Sequence, residues 1–274
     1  MTALSETAAP HHDRLLEHIR SMESVAVACS GGVDSTTLLK AAVEALGAAR
    51  AVGVTVSGDI FPSYEVELAR RIARQHGLPH VVLNASPMRL PEFPLNPPDR
   101  CYHCKRFLFD RLLQFSAERG IAHLCDGTNA DDIGDHRPGL RALKELRVRS
   151  PFKELGIGKT VIRELARAWG LPNWDEPPAA CLASRIPYGQ TIMTDKLARI
   201  DQAEAFLRER LGVRVVRVRH DGATARIETT ADDIARLAAT PARLEIAARL
   251  RELGFQYVAL DLDGYRTGSL NEVL

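Results

Sequence analysis

The sequence predicts an α/β domain built on a parallel sheet, followed by a smaller α+β domain. Between residues 25 and 125, short apolar runs alternate with helical segments. Continuous apolar runs are typical of strands that a parallel sheet buries on both faces. After residue 189 the pattern changes to one long helix and two alternating strands. We therefore expect domains at residues 1–189 and 190–274.

The elements of the first domain follow in order along the chain. After a helix at residues 11–22, apolar runs predict four strands, at residues 25–29, 51–56, 80–83 and 121–125. Further helices are predicted at residues 35–46, 64–76, 102–119 and 160–169, with Gly77 and Gly120 as stop signals. Proline-rich segments lie at residues 86–100 and 171–178.

The second domain begins with a helix predicted at residues 195–211. Alternating residues predict strands at 213–219 and 223–229, and His220-Asp221-Gly222 is a hairpin signal between them. Two more helices and a strand at residues 257–262 complete this domain.

The amino-acid composition argues against some classes of function. The net charge is +1, from 36 basic and 35 acidic residues, so bulk charge gives no support for nucleic-acid binding. The sequence lacks a long apolar run and a secretory signal pattern, so we expect a cytoplasmic protein without a membrane partner. Seven of the nine histidines show no ligand spacing and are interpreted as surface or core residues: His11, His12, His76, His80, His123, His136 and His220.

The cysteine count favours chemistry over disulfide bonding. Cysteines occupy positions 29, 101, 104, 125 and 181, an odd number. In a cytoplasmic chain this indicates metal, cluster or catalytic use of some of them. Cys29 and Cys125 each end a predicted buried strand, so we interpret them as core residues.

The first strand runs into the loop Ser30-Gly31-Gly32-Val33-Asp34-Ser35, directly before a helix. Two glycines allow close backbone approach, and the free N–H groups of a helix N-terminus suit phosphate. The loop has neither the GK[ST] ending of a P-loop nor the GxGxxG pattern of dinucleotide-binding folds. A glycine-rich turn with a helix cap is the alternative interpretation.

The fourth strand runs into a second polar loop, Asp126-Gly127-Thr128-Asn129-Ala130-Asp131-Asp132. The carboxyl ends of parallel strands form the edge where open α/β folds bind ligands. We expect this loop to contribute to the same site as residues 30–35. The alternative is a capped, solvated loop, because paired aspartates also favour helix starts.

Five motifs together carry a family resemblance. SGGVDS resembles the PP-loop of the ATP pyrophosphatase superfamily, whose fold is adenine nucleotide alpha hydrolase-like. With GTNADD and three more specific segments, the chain resembles the LarE family of ATP-dependent sulfur transferases over about residues 14–272. The three segments are RCYHCK at 100–105, CLASRIPYG at 181–189 and LDLDGYRTGSLNE at 260–272.

The resemblance implies a two-step reaction on pyridinium-3,5-biscarboxylic acid mononucleotide. ATP would adenylate a ring carboxylate with release of pyrophosphate, and sulfur would then displace AMP to give a thiocarboxylate of the nickel-pincer nucleotide cofactor of lactate racemase. Asp34 would hold Mg²⁺, and the family forms symmetric homo-oligomers, with a hexamer as one form. The residues implied in ATP binding are Ser30, Gly31, Gly32, Asp34, Ser35, Gly127, Asn129 and Asp131.

The resemblance leaves the sulfur source open between two branches. In one, a cysteine at the position of Cys181 gives up its own sulfur and becomes dehydroalanine. In the other, three cysteines, here Cys101, Cys104 and Cys181, hold a [4Fe-4S] cluster whose open iron carries the sulfide, and this chain fits that branch better. Zinc or a redox dithiol at the CxxC pair is the alternative. Cys181, Ser184 and Arg185 are the expected catalytic residues.

Arginines in the second domain are candidates for phosphate recognition. Arg217 and Arg219 alternate on one predicted strand and therefore share a face, and arginine binds phosphate through a bidentate fork. The resemblance implies that these two residues and Arg266 bind the substrate phosphate, with Glu228 on the paired strand at the same site. A solvated strand face is the alternative.

Two rival functions remain open from the sequence. A PP-loop tRNA thiolation enzyme would use the same ATP chemistry, but it should show a basic RNA-binding surface. A non-catalytic nucleotide sensor is disfavoured by the intact loop at residues 30–35 and by the three cysteines.

Overall fold

The computed structural model describes residues 4–132, 138–177 and 180–266. His136, Pro178 and residues 267–272 of the last sequence motif lie outside the described residues. The chain divides into two units, each formed by separate stretches of sequence. The first unit comprises Met1–Gly58, Ser63–Pro87 and Cys101–Ala179, and the second comprises Asp59–Pro62, Met88–Arg100 and Ala180–Leu274.

A four-stranded sheet forms the centre of the first unit. Its strands are β1 (Val25–Ala28), β2 (Ala51–Ser57), β3 (His80–Asn84) and β4 (His123–Cys125). They lie in the order β3-β2-β1-β4, and all three pairings are parallel. This confirms the predicted parallel sheet, with β1 at its interior, so the loop after β1 leaves the middle of the carboxyl edge.

Helices connect and cover these strands. They are α1 (Ala8–Arg20), α2 (Val33–Leu46), α3 (Ser63–Gln75), α4 (Arg100–Glu118), α5 (Pro138–Glu145), α6 (Pro151–Glu154) and α7 (Lys159–Ala168). Five of the seven match predicted helices to within a few residues. The sequence did not predict α5 and α6, because eight and four residues are too few to show a helical period.

The two faces of the sheet pack against different helices. Val25 and Val27 belong to a core with residues of α1, α2 and α7. Ala26 points the other way and packs with Phe109 and Leu143, which come from α4 and α5. Because successive strand residues face opposite sides, burial of all three accounts for the continuous apolar run in the sequence.

The second unit has a three-stranded sheet with its own core. Its elements are α8 (Thr194–Leu211), β5 (Val216–Asp221), β6 (Thr224–Thr229), α9 (Ala231–Ala238), α10 (Ala242–Glu252) and β7 (Tyr257–Leu260). β5 pairs antiparallel with β6, and β6 pairs parallel with β7. Val216, Val218 and Ile227 pack with apolar residues of α8, α9 and α10.

The hairpin between β5 and β6 was predicted, but its placement at His220-Asp221-Gly222 was wrong. Asp221 pairs with Thr224, so the loop consists of Gly222 and Ala223 only. Gly222 has a φ of 62°, which favours glycine at the first position of a two-residue hairpin loop. β5 also begins at Val216 rather than at residue 213.

Two short stretches from earlier in the sequence complete the second unit. The N–H of Leu182 donates to the carbonyl of Ile60 at 2.8 Å, and that of Ile192 donates to the carbonyl of Pro94 at 2.9 Å. The fully buried Asn96 side chain donates to three carbonyls, the nearest being that of Pro187 at 2.7 Å. Among the described helices, none is long and apolar enough to cross a membrane.

Candidate functional site

The loop after β1 is held open by its own hydrogen bonds. The Ser30 N–H donates to Ser35 Oγ at 3.1 Å, and Ser35 Oγ donates to the Gly32 carbonyl at 3.1 Å. Gly31 has a φ of 85°, and a Cβ there would lie 2.8 Å from the carbonyl oxygen of Glu65. Glycine is therefore required, because a side chain would meet backbone in a left-handed conformation.

The first turn of α2 follows this loop and is available to a ligand. Gly32 is the N-cap, and within the described part of the chain no side chain caps this helix. Uncapped N–H groups and the positive end of the helix dipole favour an anion such as phosphate.

Asp34 lies in that first turn with one carboxylate oxygen paired and one unpaired. Its Oδ2 accepts a hydrogen bond from Lys159 Nζ at 2.6 Å. Its Oδ1 is buried and has no hydrogen-bond partner among the described residues. Burial raises the pKa of Asp34, and Lys159 acts in the opposite direction. An unpaired carboxylate oxygen beside an uncapped helix N-terminus suits Mg²⁺, which prefers carboxylate and phosphate oxygens.

The loop after β4 packs directly on the start of α2. A Cβ at Gly127 would lie 2.9 Å from the Ser35 nitrogen, so this position must also be glycine. Asn129 Oδ1 accepts the Asp131 N–H at 2.9 Å. Asp131 Oδ2 in turn accepts the Lys159 N–H, at the start of α7, at 2.6 Å. Asp131 therefore caps α7 from outside, and a direct ATP contact for Asn129 and Asp131 stays a prediction.

Sequence reasoning missed two side chains at this loop. Lys159 contacts Asp34 from 125 residues away. Asn173 is buried, and its Nδ2 donates to the Gly31 carbonyl at 2.8 Å and to Thr36 Oγ1 at 2.9 Å. The only local signal was a Gly-Lys pair at the start of α7, because contacts across such separations leave no periodic pattern in a single sequence.

The cysteines fall into three environments. Cys29 and Cys125 are buried, which raises the pKa of both thiols, that of Cys125 to about 12. Cys101 is exposed and Cys104 is buried, one turn apart at the start of α4. Cys181, in the second unit, is half-buried before a 3₁₀ turn at Leu182–Arg185. Within the described residues, no group of three or more His, Cys, Asp or Glu side chains could hold a metal ion.

A buried ion pair stands next to Cys181. Arg185 donates through Nε and Nη2 to the carboxylate of Glu204, at 2.8 and 2.9 Å, and both side chains are almost fully buried. Burial alone would raise the pKa of Glu204, but Arg185 and Arg217 hold it below its usual value. Arg185 Nη1 donates to the Ala180 carbonyl at 2.7 Å and to Ser184 Oγ at 2.9 Å. Arg185 therefore holds the segment that carries Cys181, and a direct catalytic role for it stays a prediction.

The arginine face of β5 is buried rather than solvated. Arg217 and Arg219 are 3% and 7% exposed, so the solvated alternative is excluded. Arg219 forms two hydrogen bonds with Glu228, at 2.9 and 2.7 Å, and a third with the Ser184 carbonyl at 2.7 Å. Arg217 stacks over the Tyr265 ring at 5.1 Å, and the neighbouring Arg266 is exposed. Buried arginines beside an aromatic ring suit a nucleotide phosphate, although phosphate binding by these residues stays a prediction.

Comparison with known proteins places the chain in a family. No family model matches it. It is 40% identical to an uncharacterised protein of Synechocystis, over 96% of this chain and 97% of that protein. It is 35% identical to the pyridinium-3,5-bisthiocarboxylic acid mononucleotide synthase of Lactiplantibacillus plantarum, over 98% of this chain and 96% of that protein. The chain belongs to the LarE family.

A more distant match supports the superfamily. The tRNA-specific 2-thiouridylase MnmA of Carboxydothermus hydrogenoformans is 29% identical over 57% of this chain and 53% of its own length. This LarE-family protein is therefore an ATP-dependent sulfur transferase of the PP-loop superfamily. The resemblance to that superfamily implied a glycine-rich loop and a parallel sheet. The chain has both, with the loop directly after β1.

Proposed function

We propose that this LarE-family enzyme activates a carboxylate of pyridinium-3,5-biscarboxylic acid mononucleotide with ATP and converts it into a thiocarboxylate. The near full-length similarity to a named synthase carries the proposal. The chemistry requires activation, because a carboxylate is a poor electrophile until its oxygen becomes a good leaving group. Adenylation makes AMP that leaving group, and sulfur then displaces it.

The first unit binds ATP in this proposal. The N–H groups at the start of α2, Gly31 and the hydroxyls of Ser30 and Ser35 hold the pyrophosphate portion. The unpaired Oδ1 of Asp34 holds Mg²⁺, which neutralises charge on the phosphates. Lys159, 2.6 Å from Asp34, supplies a second positive charge for the leaving pyrophosphate.

The second unit recognises the substrate nucleotide. Arg217, Arg219 and Arg266 bind its phosphate, and Glu228 orients Arg219 through the paired hydrogen bonds between them. A buried arginine that is already oriented loses little side-chain entropy on binding, so such a site favours phosphate over water.

The sulfur carrier is proposed to be a [4Fe-4S] cluster on Cys101, Cys104 and Cys181. A [4Fe-4S] cluster usually has four thiolate ligands, so three would leave one iron open to sulfide. Cys101 and Cys104 lie one helical turn apart. When bound, the cluster supplies sulfide as the nucleophile. The protein thiolates orient it, and the second candidate source is the Cys181 sulfur itself.

Anaerobic assays test the proposal. With ATP, Mg²⁺, sulfide and the dicarboxylate mononucleotide, we expect pyrophosphate release and a product in which one carboxylate oxygen is replaced by sulfur, detected by mass spectrometry. Stimulation by tRNA and not by the mononucleotide would instead identify a tRNA thiolation enzyme. Repeated turnover with Cys181 intact supports the cluster, whereas a single turnover that leaves dehydroalanine at 181 supports the sacrificial route. The thiocarboxylate would serve nickel-pincer cofactor synthesis for lactate racemase or a related enzyme.

The protein is also proposed to form a homo-oligomer, and analytical ultracentrifugation would test this by measuring its mass in solution.

A further inference from the structure

The peptide group that joins Gly31 to Gly32 has two accessible orientations. A trans peptide places its C=O and its N–H on opposite sides, so rotation by half a turn exchanges them. Glycine tolerates the dihedral angles of both orientations because it has no Cβ. The orientation of this peptide therefore decides whether the loop after β1 presents a hydrogen-bond donor or an acceptor to a ligand.

Asn173 binds the carbonyl side of this peptide. Its Nδ2 donates to the Gly31 carbonyl oxygen at 2.8 Å and to Thr36 Oγ1 at 2.9 Å. A carbonyl can only accept, so the nitrogen and not the oxygen of the Asn173 amide must face Gly31. Thr36 Oγ1 gives its own hydrogen to a main-chain carbonyl at the start of α2, at 3.0 or 3.2 Å, so it accepts from Asn173. The side chain of Asn173, which is 1% exposed, is thus fixed in one orientation.

The N–H on the other side of the peptide is held only weakly. Gly32 N–H donates to Ser30 Oγ at 3.4 Å, which is long for a hydrogen bond. Ser30 Oγ in turn lies 3.3 Å from Ser35 Oγ, so the N–H faces the two hydroxyls assigned above to pyrophosphate. A phosphate oxygen would be a stronger acceptor than Ser30, because it is charged. In the reversed orientation the Gly31 carbonyl would face this side and repel the phosphate.

We propose that Asn173 is a positioning residue that locks the Gly31–Gly32 peptide with its N–H toward the pyrophosphate portion of ATP. The inference deepens the proposed function and rests on its assignment of this loop to ATP. Asn173 itself does not contact the phosphate, because it binds the opposite side of the peptide. Without the lock, the loop would populate both orientations, and the population of the wrong one would lower the apparent affinity for the anion.

Binding of Mg-pyrophosphate to the full-length protein measures the lock. Asn173→Leu keeps the approximate volume of the side chain and removes both donated hydrogen bonds. The dissociation constant, from equilibrium dialysis with radiolabelled pyrophosphate, should rise about tenfold or more, because the Gly31 carbonyl loses its partner. Thr36→Val is the matched control. It removes the other partner of Asn173 and leaves the Gly31 carbonyl bound, so the dissociation constant should stay within about threefold of the wild-type value.

A second substitution separates orientation from packing. Reversal of the peptide would turn the φ of Gly32 from −70° by half a turn into the left-handed region, which alanine resists. Gly32→Ala therefore blocks the reversed orientation, whereas the present φ suits alanine and the added Cβ would lie 3.4 Å from Ser30 Oγ. In the presence of Gly32→Ala, Asn173→Leu should weaken pyrophosphate binding by less than about threefold. The comparison is a double-mutant cycle, so any direct effect of the added methyl group cancels.

Isotope labels report the orientation in the wild-type protein itself. Glycine labelled with ¹⁵N and with ¹³C at the carbonyl carbon gives a directly bonded ¹³C–¹⁵N pair only at Gly31–Gly32, because the sequence has no other adjacent glycines. A nuclear magnetic resonance experiment that selects this pair observes the Gly32 N–H alone. Addition of Mg-pyrophosphate should move this proton signal downfield, as expected when an N–H donates to a charged oxygen.

Two results would overturn the inference. One is a Gly32 N–H signal that saturating Mg-pyrophosphate leaves unmoved in the wild-type protein, and this measurement decides the matter even if Asn173→Leu fails to fold. The other is an equal loss of pyrophosphate affinity from Asn173→Leu with and without Gly32→Ala, which would show that Asn173 acts through packing. If the wild-type protein bound neither pyrophosphate nor ATP, the assignment of the loop in the proposed function would itself be refuted.

Discussion

Lys159 Nζ lies 2.6 Å from Asp34 Oδ2, although 125 residues separate them in the sequence. The contact joins the start of α7 to the first turn of α2, the two helix ends that border the candidate ATP site. Burial raises the pKa of Asp34, and Lys159 limits that rise through its hydrogen bond and charge. Lys159 therefore helps to keep Asp34 ionised, which is the form that can bind Mg²⁺.

Replacing Lys159 should weaken the use of ATP and shift its pH dependence. Lys159→Met should lower kcat/KM for Mg-ATP by about tenfold to hundredfold, the range for losing a charged hydrogen-bond donor. Without Lys159 the pKa of Asp34 should rise further, so the acid limb of the pyrophosphate-release profile should move to higher pH. Lys159→Arg should restore the limb in part. A Lys159→Met profile that overlays the wild-type profile would refute the role.

Asp34 should be required for the first half-reaction. Asp34→Ala removes the unpaired oxygen proposed to hold Mg²⁺, and pyrophosphate release should fall by about 100-fold or more. Asp110→Asn, which removes a carboxylate from the exposed surface of α4, is the matched control and should retain the wild-type rate. Release at a near wild-type rate in Asp34→Ala would show that the loop at residues 30–35 was assigned wrongly.

Arg217 should affect the nucleotide substrate and not ATP. Arg217→Ala should raise the KM for the mononucleotide by about tenfold or more, while the KM for ATP stays constant. Arg214→Ala, an exposed arginine outside β5, is the control for loss of one positive charge. Circular dichroism must first show that the variant is folded, because Arg217 is buried. An unchanged mononucleotide KM in a folded variant would argue decisively against phosphate recognition.

Glu154 should stabilise the first unit above acidic pH. Burial alone would raise its pKa, but hydrogen bonds from Arg149, the Ser150 N–H and His18 lower the pKa to about 2, below the ordinary glutamate value of 4.5. A depressed carboxyl pKa stabilises the fold above the unfolded pKa, and this stabilisation disappears as the pH falls from about 4.5 toward 2.

Thermal unfolding across pH measures this contribution. Glu154→Gln should lower Tm by a few degrees at pH 7, and the difference from the wild type should shrink as the pH falls through the same window. Glu17→Gln, on the exposed side of α1, is the control and should leave Tm unchanged. A difference that stays constant with pH would mean that packing, and not ionisation, makes Glu154 stabilising.

The sequence predicted the sheet and most helices because their signals are local. Val25 to Ala28 form an apolar run whose residues are buried on both sides, and glycine at 77 and 120 ends a helix as expected. The requirement for glycine at position 31 was also predicted, since only glycine fits a backbone that approaches so closely. Lys159, Asn173 and Glu204 could not be predicted from the sequence, because each acts through contacts with residues that are distant in the sequence.

The arginines of β5 show a different limit of sequence reasoning. Alternation correctly grouped Arg217 and Arg219 on one face. It could not show that this face is buried, or that Arg219 is already bound to Glu228 and to the Ser184 carbonyl. Charge patterns in a sequence reveal which residues share a side of a strand, whereas their partners depend on the tertiary packing.

Three separate stretches of the sequence form the second unit. This arrangement constrains how the protein folds during synthesis and where it can be cleaved. Residues 59–62 and 88–100 leave the ribosome long before Leu182, Pro187 and Ile192, whose backbone groups they contact. These early stretches must therefore wait for partners that are translated last. A fragment that starts at residue 190 would lack both stretches and the Cys181 turn, so limited proteolysis or gene fusion at that point should yield a damaged module and not an autonomous one.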